Sequence, residues 1–139
     1  MSDRALETAL NGTCTPSQWY EILNNMVFFW LTKPRLKTML GARPYKNSKH
    51  DVLTIDCGKL VKDYSQKIRL SRMNSGNTKP YPHSRTPELF KKIEDFPFIE
   101  RRKVNPLKNA VVELTVAEAV PNIVDYVIDV QTISISEMK

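Results

Sequence analysis

The sequence has few of the residues on which several classes of site depend. It contains two cysteines, two histidines and four glycines in 139 residues. Cys14 and Cys57 form no C-x-x-C motif and the histidines are isolated, so we expect free thiols and no metal. Glycine-rich phosphate-binding motifs are absent, as is the G-x-S-x-G elbow of many hydrolases. These absences exclude the commonest nucleotide-binding and serine-hydrolase motifs.

Long apolar runs are also missing. No run approaches the ~18 residues that a membrane-spanning helix needs. The first residues, Met1 to Glu7, are polar and include acids, unlike a secretory or transit peptide. We therefore expect a cytoplasmic protein without a membrane partner.

The composition is otherwise that of an ordinary globular protein, with 41% hydrophobic and 26% charged residues. Its length predicts a single domain over residues 1–139. The formal charge is +6, and acids are absent between Thr32 and His50. We call residues Lys33–Lys49 the basic stretch; its cations are Lys33, Arg35, Lys37, Arg43, Lys46 and Lys49. This stretch is either a solvated face or a surface for nucleic acid, nucleotide or another acidic partner.

Capping signals predict helices early in the chain. Ser2 begins one that ends at Asn11-Gly12. Thr15, with Pro16 after it and Gln18 completing a capping box, begins another that runs to about Asn24. A third runs from Thr32 to Gly41, where we expect positive φ, and a short one covers residues 59–64.

Strand patterns predict a sheet formed mostly by the later part of the chain. The expected strands are Met26–Leu31, Asp51–Asp56, Ile68–Ser71, Asn109–Val116 and Tyr126–Ile135. Helices early and strands late favour an α+β fold with a mixed, mostly antiparallel sheet. Met26–Leu31 is so apolar that we expect it at the centre, with Trp30 in the core. We expect a functional or disordered loop over Arg72–Pro87. We expect an exposed turn at Arg101–Lys103.

Glu113 is the best catalytic candidate. It lies in the apolar run Asn109–Val116, so it either faces solvent or points into a cleft where its pKa can be tuned.

Other residues suit ligand binding. Tyr45 and Trp30 could stack on a flat base, and Arg35 or Arg43 could hold a phosphate. Asn74 and Ser75 could donate hydrogen bonds to a ligand, although as turn formers they need none.

Several motifs in order resemble those of a family of uncharacterised bacterial proteins, a domain of unknown function. They are Val27-Phe28-Phe29-Trp30-Leu31, Leu40-Gly41-Ala42-Arg43-Pro44-Tyr45, His50-Asp51-Val52-Leu53, Met73-Asn74-Ser75-Gly76 and Val111-Val112-Glu113-Leu114. More distantly, an aromatic strand followed by a Glu-Leu-x-Val strand and a proline is similar to ADP-ribosyltransferase-like domains, in the DNA-modifying toxin and RNA 2′-phosphotransferase branches. That resemblance implies NAD as a cofactor and Glu113 as the glutamate that orients its ribose. Arg35 matches the transferase arginine only loosely.

The resemblance also implies a preceding segment with a histidine-containing first strand, which is not part of this sequence. Without it we expect an incomplete NAD site and an exposed apolar sheet edge. Such an edge is a template for pairing, so we expect a homodimer.

Overall fold

A computed structural model describes residues 2–76, 84–104 and 110–138. These contain five α-helices and five strands, which confirms the α+β class. The helices are α1 (Asp3–Leu10), α2 (Pro16–Asn24), α3 (Lys33–Leu40), α4 (Cys57–Tyr64) and α5 (Phe98–Val104). The strands are β1 (Met26–Phe29), β2 (His50–Ile55), β3 (Ile68–Ser71), β4 (Glu113–Ala117) and β5 (Val127–Ile133).

The strands form two antiparallel sheets among the described residues. One has three strands in the order β1-β4-β3, and the other pairs β2 with β5. In the larger sheet Phe29 and Leu70 both pair with Leu114, and Ser71 pairs with Glu113. β4 therefore lies at the centre of the larger sheet, and its first residue is Glu113.

The N-terminal helices begin and end where the sequence predicts. Ser2 accepts a hydrogen bond from the Ala5 amide at the start of α1, and Asn11 ends the helix with φ of 48°. At the start of α2, Thr15 and Gln18 form the reciprocal capping box. Each such cap contributes about 1 kcal/mol, because it satisfies amides that the helix leaves unpaired.

Among the described residues, two hydrophobic clusters form the core. The first joins β3 and β4 through Ile68, Leu70, Leu114 and Val116 to Leu60 of α4, together with Phe96, Val120 and Tyr126. The second joins Leu6 and Leu10 of α1 to Trp19 of α2 and to Leu89. Because side chains alternate along a strand, Leu114 and Val116 point to the first cluster while Glu113 and Thr115 point to the opposite face.

The predicted central position of Met26–Leu31 is wrong. β1 ends at Phe29 and lies at an edge of the three-stranded sheet. Trp30 is 41% exposed, so its predicted core position is also wrong. The reason is that Thr32 caps α3 immediately afterwards, which turns the chain away from the sheet before the apolar run is complete.

Smaller differences have local causes. Gly41 has φ of −81°, because α3 ends in a right-handed turn that needs no positive φ. Residues 101–103, predicted as a turn, instead lie in α5, after Glu100 of its first turn. Their positive charges interact favourably with the negative C-terminal end of the helix dipole. The described parts of the predicted loop are residues 72–76 and 84–87; they contain neither α-helix nor strand, although Pro87 begins a short 3-10 helix, Pro87–Leu89. Residues 77–83 lie outside the described residues.

Candidate functional site

The local sequence explains why Glu113 points away from the main core. Leu114 and Val116 are drawn into the first cluster, and strand alternation then sends Glu113 to the opposite face of β4. Its cross-strand neighbour on that face is Ser71 of β3. On the other side of β4, Phe29 pairs with Leu114, and β1 ends at that pair.

Glu113 is buried, with only 9% of its surface exposed. Its Oε1 accepts a hydrogen bond of 3.3 Å from the Ser75 amide. Burial raises the pKa of Glu113, while Ser75, the charge of Arg85 and the hydroxyl of Ser71 act in the opposite direction without offsetting it. The surroundings therefore favour the protonated carboxyl more than water does.

Arg85 holds the turn that supplies the Ser75 amide. Its own amide donates to the Ala9 carbonyl of α1 at 2.9 Å. Its guanidinium donates to the carbonyls of Ser75 at 2.9 Å and Asn74 at 3.5 Å. The Ser75 carbonyl also accepts from Trp19 Nε1 at 3.2 Å. Two long side chains thus converge on the Ser75 carbonyl, and Arg85 also reaches the Asn74 carbonyl, which shares a peptide group with the Ser75 amide that donates to Glu113.

The guanidinium of Arg85 is itself almost fully buried, at 1% exposure. Burial lowers the pKa of Arg85, and the negative charge of Glu113 raises it. Each charge lowers the free-energy cost of burying the other. Protonation of Glu113 therefore changes the electrostatic environment of Arg85.

Ser75 contributes one further feature. Its hydroxyl oxygen is buried and forms no well-aligned hydrogen bond among the described residues. The Ser75 side chain nevertheless lies near enough to Glu113 to lower the pKa of that carboxyl. A buried hydroxyl in this state costs free energy, which a ligand that bonds to it would recover.

The structure brings together some of the predicted site residues. Glu113 and Ser75 are in direct contact, and Asn74 takes part through its carbonyl, while its side chain accepts from the Gly76 amide. The groups that act on Glu113 are all in this cluster, and Arg35, Arg43 and Tyr45 are not among them in the part of the chain that is described.

Those three residues lie in the basic stretch. Arg35 is half-buried in the first turn of α3, and Arg43 and Tyr45 are exposed in the turn before β2. Tyr45 packs edge-on against the His50 ring.

Three members of the cluster were missed. Ser71 could have been found, because the strand Ile68–Ser71 was predicted and only its register with Glu113 was lacking. Arg85 and Trp19 gave no signal, because their contacts with Ser75 join segments that are 10 and 56 residues apart in sequence.

Clusters of metal-binding side chains and membrane-spanning helices are both absent from the part of the chain that the structure describes. Within residues 2–76, 84–104 and 110–138, no group of three or more His, Cys, Asp and Glu side chains is placed to hold a metal ion. None of the described helices combines the length and apolarity needed to cross a bilayer.

Comparisons with known proteins define the family. No curated protein and no solved structure matches the chain. One family model matches residues 1–127, which is most of the 139 residues. The expected membership of an uncharacterised domain is thereby confirmed, whereas the transferase likeness and the bacterial origin stay predictions. The chain belongs to the family of unknown function designated DUF7002.

Proposed function

We propose that the Glu113 cluster is the ribose-binding part of an ADP-ribosyltransferase-like site, in an active enzyme or in a degenerate relative that still binds NAD. The observation that carries the proposal is the buried Glu113 carboxylate at the start of the central strand, held by the Ser75 amide beside Arg85. A glutamate in a strand is also what the sequence resemblance requires of such a site.

The donor set suits the ribose end of NAD. A carboxylate accepts hydrogen bonds from ribose hydroxyls, and the buried hydroxyl of Ser75 offers an additional partner beside it. Trp30 follows directly after β1, the strand beside β4, and is 41% exposed, so its aromatic face is accessible to a ligand. NAD, when bound, would supply the ADP-ribosyl group and nicotinamide as the leaving group. Glu113 would orient the ribose and oppose positive charge that develops on it.

The energetics also favour a functional role for Glu113. Burial raises its pKa in spite of Ser75, Arg85 and Ser71, so the ionised carboxylate is unfavourable where it lies. Unfavourable buried charges of this kind are concentrated at functional sites.

A titration with NAD tests the proposal. We expect saturable heat of binding with the parent chain and about tenfold weaker binding with Glu113→Gln, because a charged hydrogen bond is lost. Glu94→Gln is the matched control, since Glu94 is exposed and lies outside the cluster. Absence of saturable binding, or equal affinity in Glu113→Gln and the parent, would refute the proposal.

A second function is favoured by the basic stretch. Lys33, Lys37, Arg43, Lys46 and Lys49 are all exposed, and exposed Tyr45 lies among them. Cations interspersed with accessible aromatics suit the backbone and bases of single-stranded nucleic acid. A non-catalytic module that binds nucleic acid or another acidic partner is therefore the alternative.

Salt dependence of binding tests this alternative. We expect a single-stranded oligonucleotide to bind, and the slope of log affinity against log salt to fall by about 0.7 for each phosphate contact removed. Arg43→Gln and Lys46→Gln remove such contacts, whereas Lys62→Gln on α4 is an exposed control of the same charge. Equal slopes for all three variants would contradict a role for the basic stretch.

A further inference from the structure

A cavity of about 280 Å³ is lined in part by Arg85, while Glu113, Ser75 and Ser71 do not line it. It is a partly open cavity bordered by the segment that follows β3 and by the short helical turns that precede α5. The described residues that line it are Arg72, Ser84, Arg85, Thr86, Glu88, Leu89, Lys91, Phe96 and Pro97.

The charges around this cavity are unbalanced. Three cations line it, Arg72, Arg85 and Lys91, against the single carboxylate of Glu88. Neither Arg72 nor Lys91 forms an ion pair within the described part of the chain. A concave surface with several cations of one sign concentrates positive potential, because the protein wall screens charge less than water does.

Arg85 contributes a positive charge in a fixed position to that potential. Its guanidinium is buried and fixed by its bonds to the Ser75 and Asn74 carbonyls, so it cannot swing into solvent. The position of this positive charge near the cavity is therefore pre-organised, and binding an anion there requires little reordering of Arg85.

The remaining lining has two kinds of side chain. Ser84 and Thr86 carry hydroxyls that can donate to an oxyanion, while buried Leu89 and Phe96, with Pro97, form an apolar wall. A carboxylate would satisfy one arginine, whereas a phosphate presents more acceptor oxygens and more charge to several cations. The volume is at the small end of ligand cavities, which suits a compact molecule.

We infer that this cavity binds a small phosphate monoester, with its phosphate held by Arg72, Lys91 and the field of Arg85 and its organic group against Leu89, Phe96 and Pro97. The site is separate from the proposed ribose contact at Glu113. Its occupation requires no NAD, so it stands or falls independently of any transferase activity.

Calorimetric titration of the full chain with phenyl phosphate and with inorganic phosphate tests the inference. We expect both to bind saturably, and phenyl phosphate to bind more tightly because only its ring meets the apolar wall. Arg72→Gln and Lys91→Gln should each weaken phenyl phosphate binding about tenfold, since each removes a charged hydrogen bond.

The neighbouring residue offers a matched control. Lys92 is exposed like Lys91 but does not line the cavity, so Lys92→Gln should bind phenyl phosphate like the parent. All variants change exposed side chains, and their thermal unfolding should match that of the parent. Failure of phenyl phosphate to saturate, no preference over inorganic phosphate, or an equal loss in Lys92→Gln would each overturn the inference.

Discussion

Replacing Glu113 by Gln should stabilise the protein near neutral pH. The variant keeps the size of the side chain and an oxygen that can accept from the Ser75 amide. Its added amide hydrogens lie near the buried Ser75 hydroxyl, which lacks a partner among the described residues. The charge is lost, and burial makes that charge unfavourable in spite of Arg85. The gain should be about 1.4 kcal/mol for each unit by which folding raises the pKa of Glu113.

The sign of the pH dependence follows from the same shift. The folded state holds the Glu113 proton at pH values where the unfolded chain has already released it. Stability therefore falls as pH rises from the unfolded glutamate pKa of about 4.3, and levels off above the raised pKa of the folded state. In Glu113→Gln this fall should disappear. The difference between parent and variant should be largest at neutral pH and absent below about pH 4.

Urea unfolding from about pH 4 to about pH 8 measures both effects. A stabilisation of about 1 kcal/mol corresponds to about 4 °C in melting temperature for a domain of this size. Glu94→Gln, which changes an exposed carboxylate, should leave the pH dependence unaltered. A Glu113→Gln variant that is less stable than the parent at neutral pH, with the parent's pH slope retained, would refute the reasoning. Glu113 would then be a stabilising partner of Arg85.

Three further predictions concern stability and association. Trp19→Phe should lose about 1–3 kcal/mol of unfolding free energy, because the buried Ser75 carbonyl loses one of its donors; an unchanged urea midpoint would contradict this. Trp30→Ala should cost clearly less than the roughly 3–5 kcal/mol of a buried tryptophan, since Trp30 is 41% exposed; a loss as large as that of Trp19→Ala would show that Trp30 is core in solution. Edge strand β1 should support a homodimer; sedimentation at micromolar concentration tests this, and a monomer throughout would exclude it.

Local features of the fold were predictable because they depend on neighbouring residues. The caps at Ser2 and Thr15 and the strand Ile68–Ser71 follow from short patterns that tertiary contacts do not override. Strand order was not predictable in this way. The run ending at Trp30 is apolar enough for a central strand, but the cap at Thr32 begins a helix and leaves that run at an edge.

The same distinction between local patterns and long-range contacts applies to the candidate site. Glu113 was identifiable as a carboxylate inside an apolar strand, and the Asn74-Ser75 turn as a candidate ligand segment. The sequence did not identify which arginine lies in the cluster with Glu113. Arg35 and Arg43 follow an aromatic strand in sequence, whereas Arg85 follows a proline-rich segment and reaches Ser75 only through the fold. The partners of a buried charge are set by long-range packing, which one sequence does not reveal.

The most direct test of the role of Glu113 is to observe its carboxyl carbon by NMR during titrations with NAD and with ADP-ribose. We expect its resonance to move saturably with both ligands, because both carry the ribose that Glu113 would contact, while the resonance of exposed Glu94 stays still. The Glu113 shift should also follow the same binding curve as the heat of binding. Saturable binding of NAD that leaves the Glu113 resonance unmoved, or the absence of binding, would contradict the assignment of this cluster as a ribose site.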